Sequence, residues 1–198
     1  TSEKSAAFNL NTSGIKLNVA GKHNVGGSFL LESGTTKFDV AADLPSKTGH
    51  VKFETGDTRL EAILDADKKG SLMVKHGALE LGVSGNSTAT AGSVHYKDNN
   101  SEFIVASDMD NNTRSVVFSY GNTSVNSSIS PDSTGVHIGV NSFALDVSTN
   151  MSSTGNFSFK NGYQFVEVNA DLENNVGSIT VNQSADSLNP TTISMVDG

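Results

Sequence analysis

Histidine and carboxylate are the residues from which this chain would have to build a metal centre or an acid–base pair, and their spacing builds neither. His23, His50, His76, His95 and His137 occupy different positions relative to the repeat described below. None lies at ligand spacing from a carboxylate or another histidine, so they read as surface or turn residues. Asp108-Met109-Asp110-Asn111-Asn112 copies the first half of a calcium loop. Thr113 stands where the loop needs Gly, and Ser119 stands where it needs a bidentate Glu, so the segment reads as a solvated turn. The nonapeptide calcium pattern of secreted β-rolls is absent too. No Gly-x-Ser-x-Gly elbow, phosphate loop or dinucleotide fingerprint occurs. With no Cys there is no disulfide framework and no thiolate site. The expectation is a protein without a cofactor and without catalysis.

One chemical signal exceeds expectation. Asn-x-Ser/Thr occurs at Asn11, Asn86, Asn99, Asn111, Asn122, Asn126, Asn150, Asn156 and Asn182, nine times, where random order at this composition gives about five. These are candidate glycosylation sites, and their use would put the chain outside the cell under a coat of sugar.

The elements that carry these residues repeat. A Gly or Arg, a following residue and an apolar alternation recur at Gly27-Ser28-Phe29, Gly49-His50-Val51, Gly70-Ser71-Leu72, Gly92-Ser93-Val94, Arg114-Ser115-Val116, Gly135-Val136-His137, Gly155-Asn156-Phe157 and Gly177-Ser178-Ile179. Together with a blurred first copy they divide the chain into nine units: 5–26, 27–48, 49–69, 70–91, 92–113, 114–134, 135–154, 155–176 and 177–198. Each unit holds two period-two runs, the second carrying pairs such as Phe38 and Val40 or Leu60 and Ala62, which reads as two β-strands. Ser33-Gly34, Gly56-Asp57, His76-Gly77, Gly121-Asn122 and Asn161-Gly162 mark the short breaks. The longer polar breaks contain Pro45 and Pro131, where no ladder donor is lost. No helical period is sustained, so the fold class is all-β.

Three arrangements fit. The expected one stacks strand-arc-strand coils in parallel as a β-solenoid or arcade of β-arches, with like strands forming each of two sheets over a thin dry seam. Its inward residues would be Phe29, Leu31, Phe38, Val40, Val51, Phe53, Leu60, Leu72, Val74, Val94, Tyr96, Phe103, Val116, Phe118, Phe157 and Phe159. Leu30, Lys52, Met73, His95, Val117, Ile138 and Ser158 would form a mixed outward column, and Glu32, Glu54, Lys75 and Lys97 a charged one. The alternative is an antiparallel meander or barrel, for which Asn161-Gly162 is a hairpin signal. An outer-membrane barrel is disfavoured, because each strand offers too short an apolar band and the aromatics are scattered.

Composition points to a thin structure. Hydrophobic residues are 35% and charged residues 17%, while Ser, Thr, Asn and Gly fill the difference. A net charge of −8 argues against nucleic acid and anionic membranes, and no run of 18 apolar residues spans a membrane. A start at Thr1 rather than Met fits a processed, secreted chain. Thr1 to Lys4 and the alternation Thr192 to Val196 offer no capping element, and uncapped sheet ends add head to tail. A unit of about 22 residues, strand-turn-strand, Gly-punctuated and rich in Ser, Asn and Thr, resembles the curli major subunit and other functional amyloids, and the amyloid-like sheath proteins of methanogenic archaea. The resemblance implies a secreted homopolymer of a cell envelope, sheath or matrix, whose partners are itself and other envelope components. The competing expectation is a non-polymerising adhesin or a carbohydrate- or protein-binding β-repeat module.

Overall fold

The structure, a computed structural model, describes residues 4–150, 152–183 and 191–196. Thr1, Ser2 and Glu3 of the expected bare N-terminal edge lie outside the described residues, as does Met151 within the Asn150 sequon and Ser184 within the Asn182 sequon. The chain divides into two compact units, Thr1–Asn99 and Asn100–Gly198. The first contains β1 (Ser5–Thr12), β2 (Ile15–Lys22), β3 (Gly26–Ser33), β4 (Thr36–Asp43), β5 (Thr48–Thr55), β6 (Thr58–Leu64), β7 (Lys69–His76), β8 (Leu79–Asn86) and β9 (Ala91–Lys97). The second contains β10 (Ser101–Asp108), β11 (Thr113–Tyr120), β12 (Thr123–Ile129), β13 (Ser133–Val140), β14 (Phe143–Asn150), β15 (Thr154–Asn161), β16 (Gln164–Asp171), β17 (Val176–Asn182) and β18 (Thr191–Val196). Among the described residues there is no helix, and therefore none long and apolar enough to cross a membrane.

Each unit is one antiparallel meander in which every strand pairs with its neighbour in sequence. Neither unit closes on itself, since no pairing joins β1 to β9 or β10 to β18 among the described residues. The all-β repeat is therefore built as the meander alternative. Parallel stacking of like strands one repeat apart, the arrangement expected first, is replaced by pairing of the two strands within each repeat.

The turns give the physical reason. Gly34, Gly56, Gly77, Gly121, Asn141 and Gly162 open two-residue loops with φ between 52° and 60°. Positive φ at the first loop residue and not at the second is the mark of a type II′ turn, whose twist matches that of a hairpin. At the other end of the strands the loops are mostly of four residues and start from a side-chain cap. Asp43 Oδ1 accepts from Ser46 N–H at 3.1 Å, Asp65 Oδ1 from Lys69 N–H at 2.9 Å, and Asp108 Oδ1 from Asn111 N–H at 3.1 Å. Asp171 repeats the device with Glu173 and Asn174, and these bonds to the charged form hold its carboxyl below the usual value, the Asn174 side chain contributing most. The half calcium loop at Asp108 is thus one copy of a recurrent Asx turn.

Turns also bond to turns. Gly77 N–H donates to Asp57 O at 3.1 Å and Asn141 N–H to Asn122 O at 3.1 Å at the tight end; Ser87 N–H donates to Lys68 O at 2.9 Å at the wide end. The ladder so extends past the strands and leaves fewer unpaired backbone groups at the rims.

Candidate functional site

Antiparallel register turns the repeat into continuous columns, because residues directly opposite one another share a face. In the first unit one column runs Phe8, Val19, Phe29, Val40, Val51, Ala62, Leu72, Val83, Val94. The next on the same face runs Leu10, Leu17, Leu31, Phe38, Phe53, Leu60, Val74, Leu81, Tyr96. The second unit has the same pair: Phe103, Phe118, Val125, Ile138, Leu145, Phe159, Val166, Val181 in one, and Val105, Val116, Ser127, Val136, Val147, Phe157, Val168, Ile179, Ile193 in the other.

All sixteen residues expected to point inward lie in these four columns. The face is nevertheless open. No hydrophobic side chain is buried among the described residues; Val51 is 37% exposed, Leu72 46% and Phe8 56%. Local packing is limited to neighbours on the face, such as the edge-on ring pairs Phe29–Phe38 at 5.9 Å and Phe143–Phe159 at 5.4 Å.

Beside the valine-rich column of the first unit runs a stripe of small residues broken by one bulky side chain, Leu64: Ala6, Gly21, Gly27, Ala42, Gly49, Leu64, Gly70, Gly85, Gly92. Some of these glycines are required by the fold. A side-chain carbon on Gly27 would lie 2.8 Å from Ala20 O, and one on Gly92 2.9 Å from Ser84 O. Others are not: at Gly21 and Gly70 the nearest atoms lie 3.9–4.0 Å away.

The opposite face is mostly polar, with apolar side chains such as Leu30, Ile63 and Met73 scattered on it. In the first unit it carries a charge ladder, Lys16, Glu32, Lys37, Glu54, Arg59, Lys75, Glu80, Lys97. The like charges Glu32 and Glu54, neighbours in the stacked-coil expectation, are separated by Lys37, and Glu54 pairs across to Arg59 rather than lying beside Lys75. At the centre Glu61 is 9% exposed, held by Lys52 Nζ at 2.8 Å and Arg59 Nη2 at 2.7 Å. The Lys52 hydrogen bond, with a further one from Arg59, holds its carboxyl below the usual range against the opposing effect of desolvation. On the apolar face, at the end of β9, Tyr96 donates its hydroxyl to Asp98 at 2.8 Å, which pushes the phenol up.

The expected outward column needs one correction. Ile138 pairs with Val125 and Leu145 on the apolar face, and His137 takes its place outside, between Asn126 and Asp146. Phe165 lies opposite Lys160 and Asn182 on the polar face, while Val166 and Val168 face the apolar side.

His137 raises the question of catalysis. Its Nδ1 lies 2.5 Å from Asp146 Oδ1, and both its Nε2 and Ser124 Oγ lie close over Gly139, 3.2 and 2.9 Å from where a side-chain carbon would stand. The residue types are those of an acyl-transfer triad. The setting is not: β13 is flanked by β12 and β14, so its peptide N–H groups are spent in ladders, and none converges to stabilise an oxyanion. Among the described residues no group of three or more His, Asp or Glu side chains is placed to hold a metal ion.

The strand sequons Asn11, Asn86, Asn126, Asn150, Asn156 and Asn182 all fall on the polar side of their sheets; Asn99, Asn111 and Asn122 fall in turns. Asn11, Asn99, Asn111, Asn122 and Asn126 are exposed. Asn86 and Asn150 are engaged as loop caps, accepting from the N–H groups of Thr90 and Ser153. No protein-family model matches the sequence and no curated protein is similar to it.

Proposed function

We propose that this chain is a structural, self-assembling subunit of an extracellular sheath, filament or matrix, with copies of itself and other envelope components as partners, and without catalytic activity. The observation that carries the reading is that no apolar side chain is buried among the described residues. The chain exposes 13265 Å², where a globular monomer of this mass exposes about 8,900 Å². Two continuous apolar columns per unit face solvent, and hydrophobic surface of that extent in a protein otherwise so polar marks an interaction surface. The regular repeat suits a material, since a repeated contact is made many times over. Glycans at the strand sequons would sit on the polar side and leave the apolar side clear.

The test is to concentrate purified full-length chain and follow it by light scattering and fibre diffraction. Growth into assemblies giving reflections near 4.7 Å and about 10 Å is expected. A monomer that persists at high concentration overturns the reading. It would favour the alternative, a non-polymerising adhesin or carbohydrate-binding module, for which one observation speaks: Tyr120 and Tyr163 are 61% and 71% exposed near tight turns of the second unit.

A further inference from the structure

We infer that the apolar face of the first unit, Thr1–Asn99, is covered by the same face of a second copy, packed sheet on sheet, with the Leu/Phe column of each copy seated over the small-residue stripe of the other. The inference rests on the self-assembly reading and names its surface, its occupant and its register.

Area identifies the kind of occupant. Nine strands at about 4.8 Å and two columns about 7 Å apart make an apolar band of roughly 40 by 14 Å. A pair of such bands buries about 1,100 Å², and about 1,600 Å² with the stripe included, which is the size of a specific protein–protein interface. A bilayer-spanning role needs an apolar band of about 25 Å, wider than these two columns.

Shape identifies the register. Across the strands the face reads small, valine-rich, Leu/Phe-rich, then Ser/Thr, as in Gly49, Val51, Phe53, Thr55 on β5. Facing sheets pack about 10 Å apart and need their side chains to interdigitate. A two-fold axis running along the valine-rich column places Val51 and its column on their own copies, and sets the bulky column of each sheet over the glycines and alanines of the other everywhere but β6, where Leu60 meets Leu64 of the other copy. An axis parallel to the strands would instead oppose glycine to glycine and leave a void. The unforced glycines supply the independent observation. Gly in a strand interior weakens it, and Gly21 and Gly70 meet nothing in their own chain that excludes a side chain. Close approach from outside accounts for them.

The experiment uses the full-length chain and measures association by sedimentation. Gly70→Leu adds a side chain into open space and should fold as the parent does, yet weaken association at least tenfold, because beside Leu64 it closes the neighbouring gap that the partner's bulky column needs. Gly82→Leu lies on the polar face, with only ordinary contact to His95, and should leave association unchanged. Stronger association of Gly70→Leu overturns the inference, since an unspecific greasy contact would gain from added leucine. A second readout does not depend on tolerance of the substitution: with no native Cys, Val51→Cys should be protected from maleimide in the assembly, whereas Ser71→Cys on the other face should react freely. Assembly with Val51→Cys fully reactive removes this interface and leaves the self-assembly reading standing; absence of any assembly removes that reading itself. Protection appearing only when neutral phosphatidylcholine vesicles are added would mean that the occupant is lipid, and also overturns the inference.

Discussion

Glu61 is the residue at which the polar face comes nearest to having an interior. It lies directly opposite Lys52 across the β5–β6 ladder, has Arg59 two residues away on its own strand, and meets uncharged Met73 on the β7 side. Its folded pKa is depressed below the ordinary 4.5, first by the Lys52 hydrogen bond. A depressed carboxyl stabilises the fold at every pH above the unfolded value, and that stabilisation drains away as the pH falls through the folded value. Glu61→Gln should therefore cost about 1 kcal/mol at neutral pH, and the gap between variant and parent should close on acidification below 4.5. Urea midpoints measured at pH 7 and pH 3 check this; an equal gap at both would mean that the charge is not what Glu61 contributes. Such a triad was out of reach of a one-repeat column reading. That reading set Lys52 beside Met73, whereas the residue facing Lys52 is in the other strand of its own repeat.

At the scale of the element, the hairpin explains what was legible and what was not. Strand positions and turn locations follow from period-two alternation and Gly-punctuation, and so does the apolar phase except around Ile138. Pairing could not be read the same way. Phe29 and Val51 share a face whether their strands stack in parallel or have β4 between them, so the column test fits both arrangements. What decides is which loop residue takes positive φ, and Gly34, Gly56 and Gly77 take it at the first of two. The phase slip at Ile138 has a similar origin: Gly135 begins its repeat two residues into β13, not at the strand's edge. The wide loops carry their own strain. Lys47, Lys68 and Ala89 hold φ of 57°, 60° and 55° without being Gly or Asn, and an L-residue there costs about 1–2 kcal/mol. Ala89→Gly should thus raise stability by about 0.5–1 kcal/mol after the entropy of the added glycine is set against it. Asn141→Val, at φ 52° in a tight turn, should lower it by about 1–2 kcal/mol. Denaturant midpoints at unchanged slope would register both; a loss on Ala89→Gly would show that the loop is not strained.

Across the molecule, each unit is an array of nearest-neighbour contacts with two faces and, among the described residues, no buried apolar side chain, so its stability is a sum of hairpin and strand-interface terms rather than the yield of a core. The residues of the candidate surface were all readable from sequence, because they are simply the apolar half of the alternation. Their openness was not, since the same alternation would serve a sandwich. The small-residue stripe was hidden in plain view: the glycines that marked the repeat, Gly27, Gly49, Gly70 and Gly92, belong to a column only once Ala42, Leu64 and Gly85 come between them. A fold that gains its apolar burial from other copies must gain stability with concentration, by mass action on the assembled state. Each tenfold increase in protein concentration should add about 1.4 kcal/mol to the apparent stability of a two-copy assembly, seen as a steady rise of the urea midpoint across a hundredfold range. The rise should vanish in Val51→Asp, which sets a charge in the middle of the contact face and should leave only the concentration-independent stability of the single sheet. A parent midpoint that stays flat over that range would mean that hairpin pairing alone sustains the sheets, and that the open columns are tolerated rather than used.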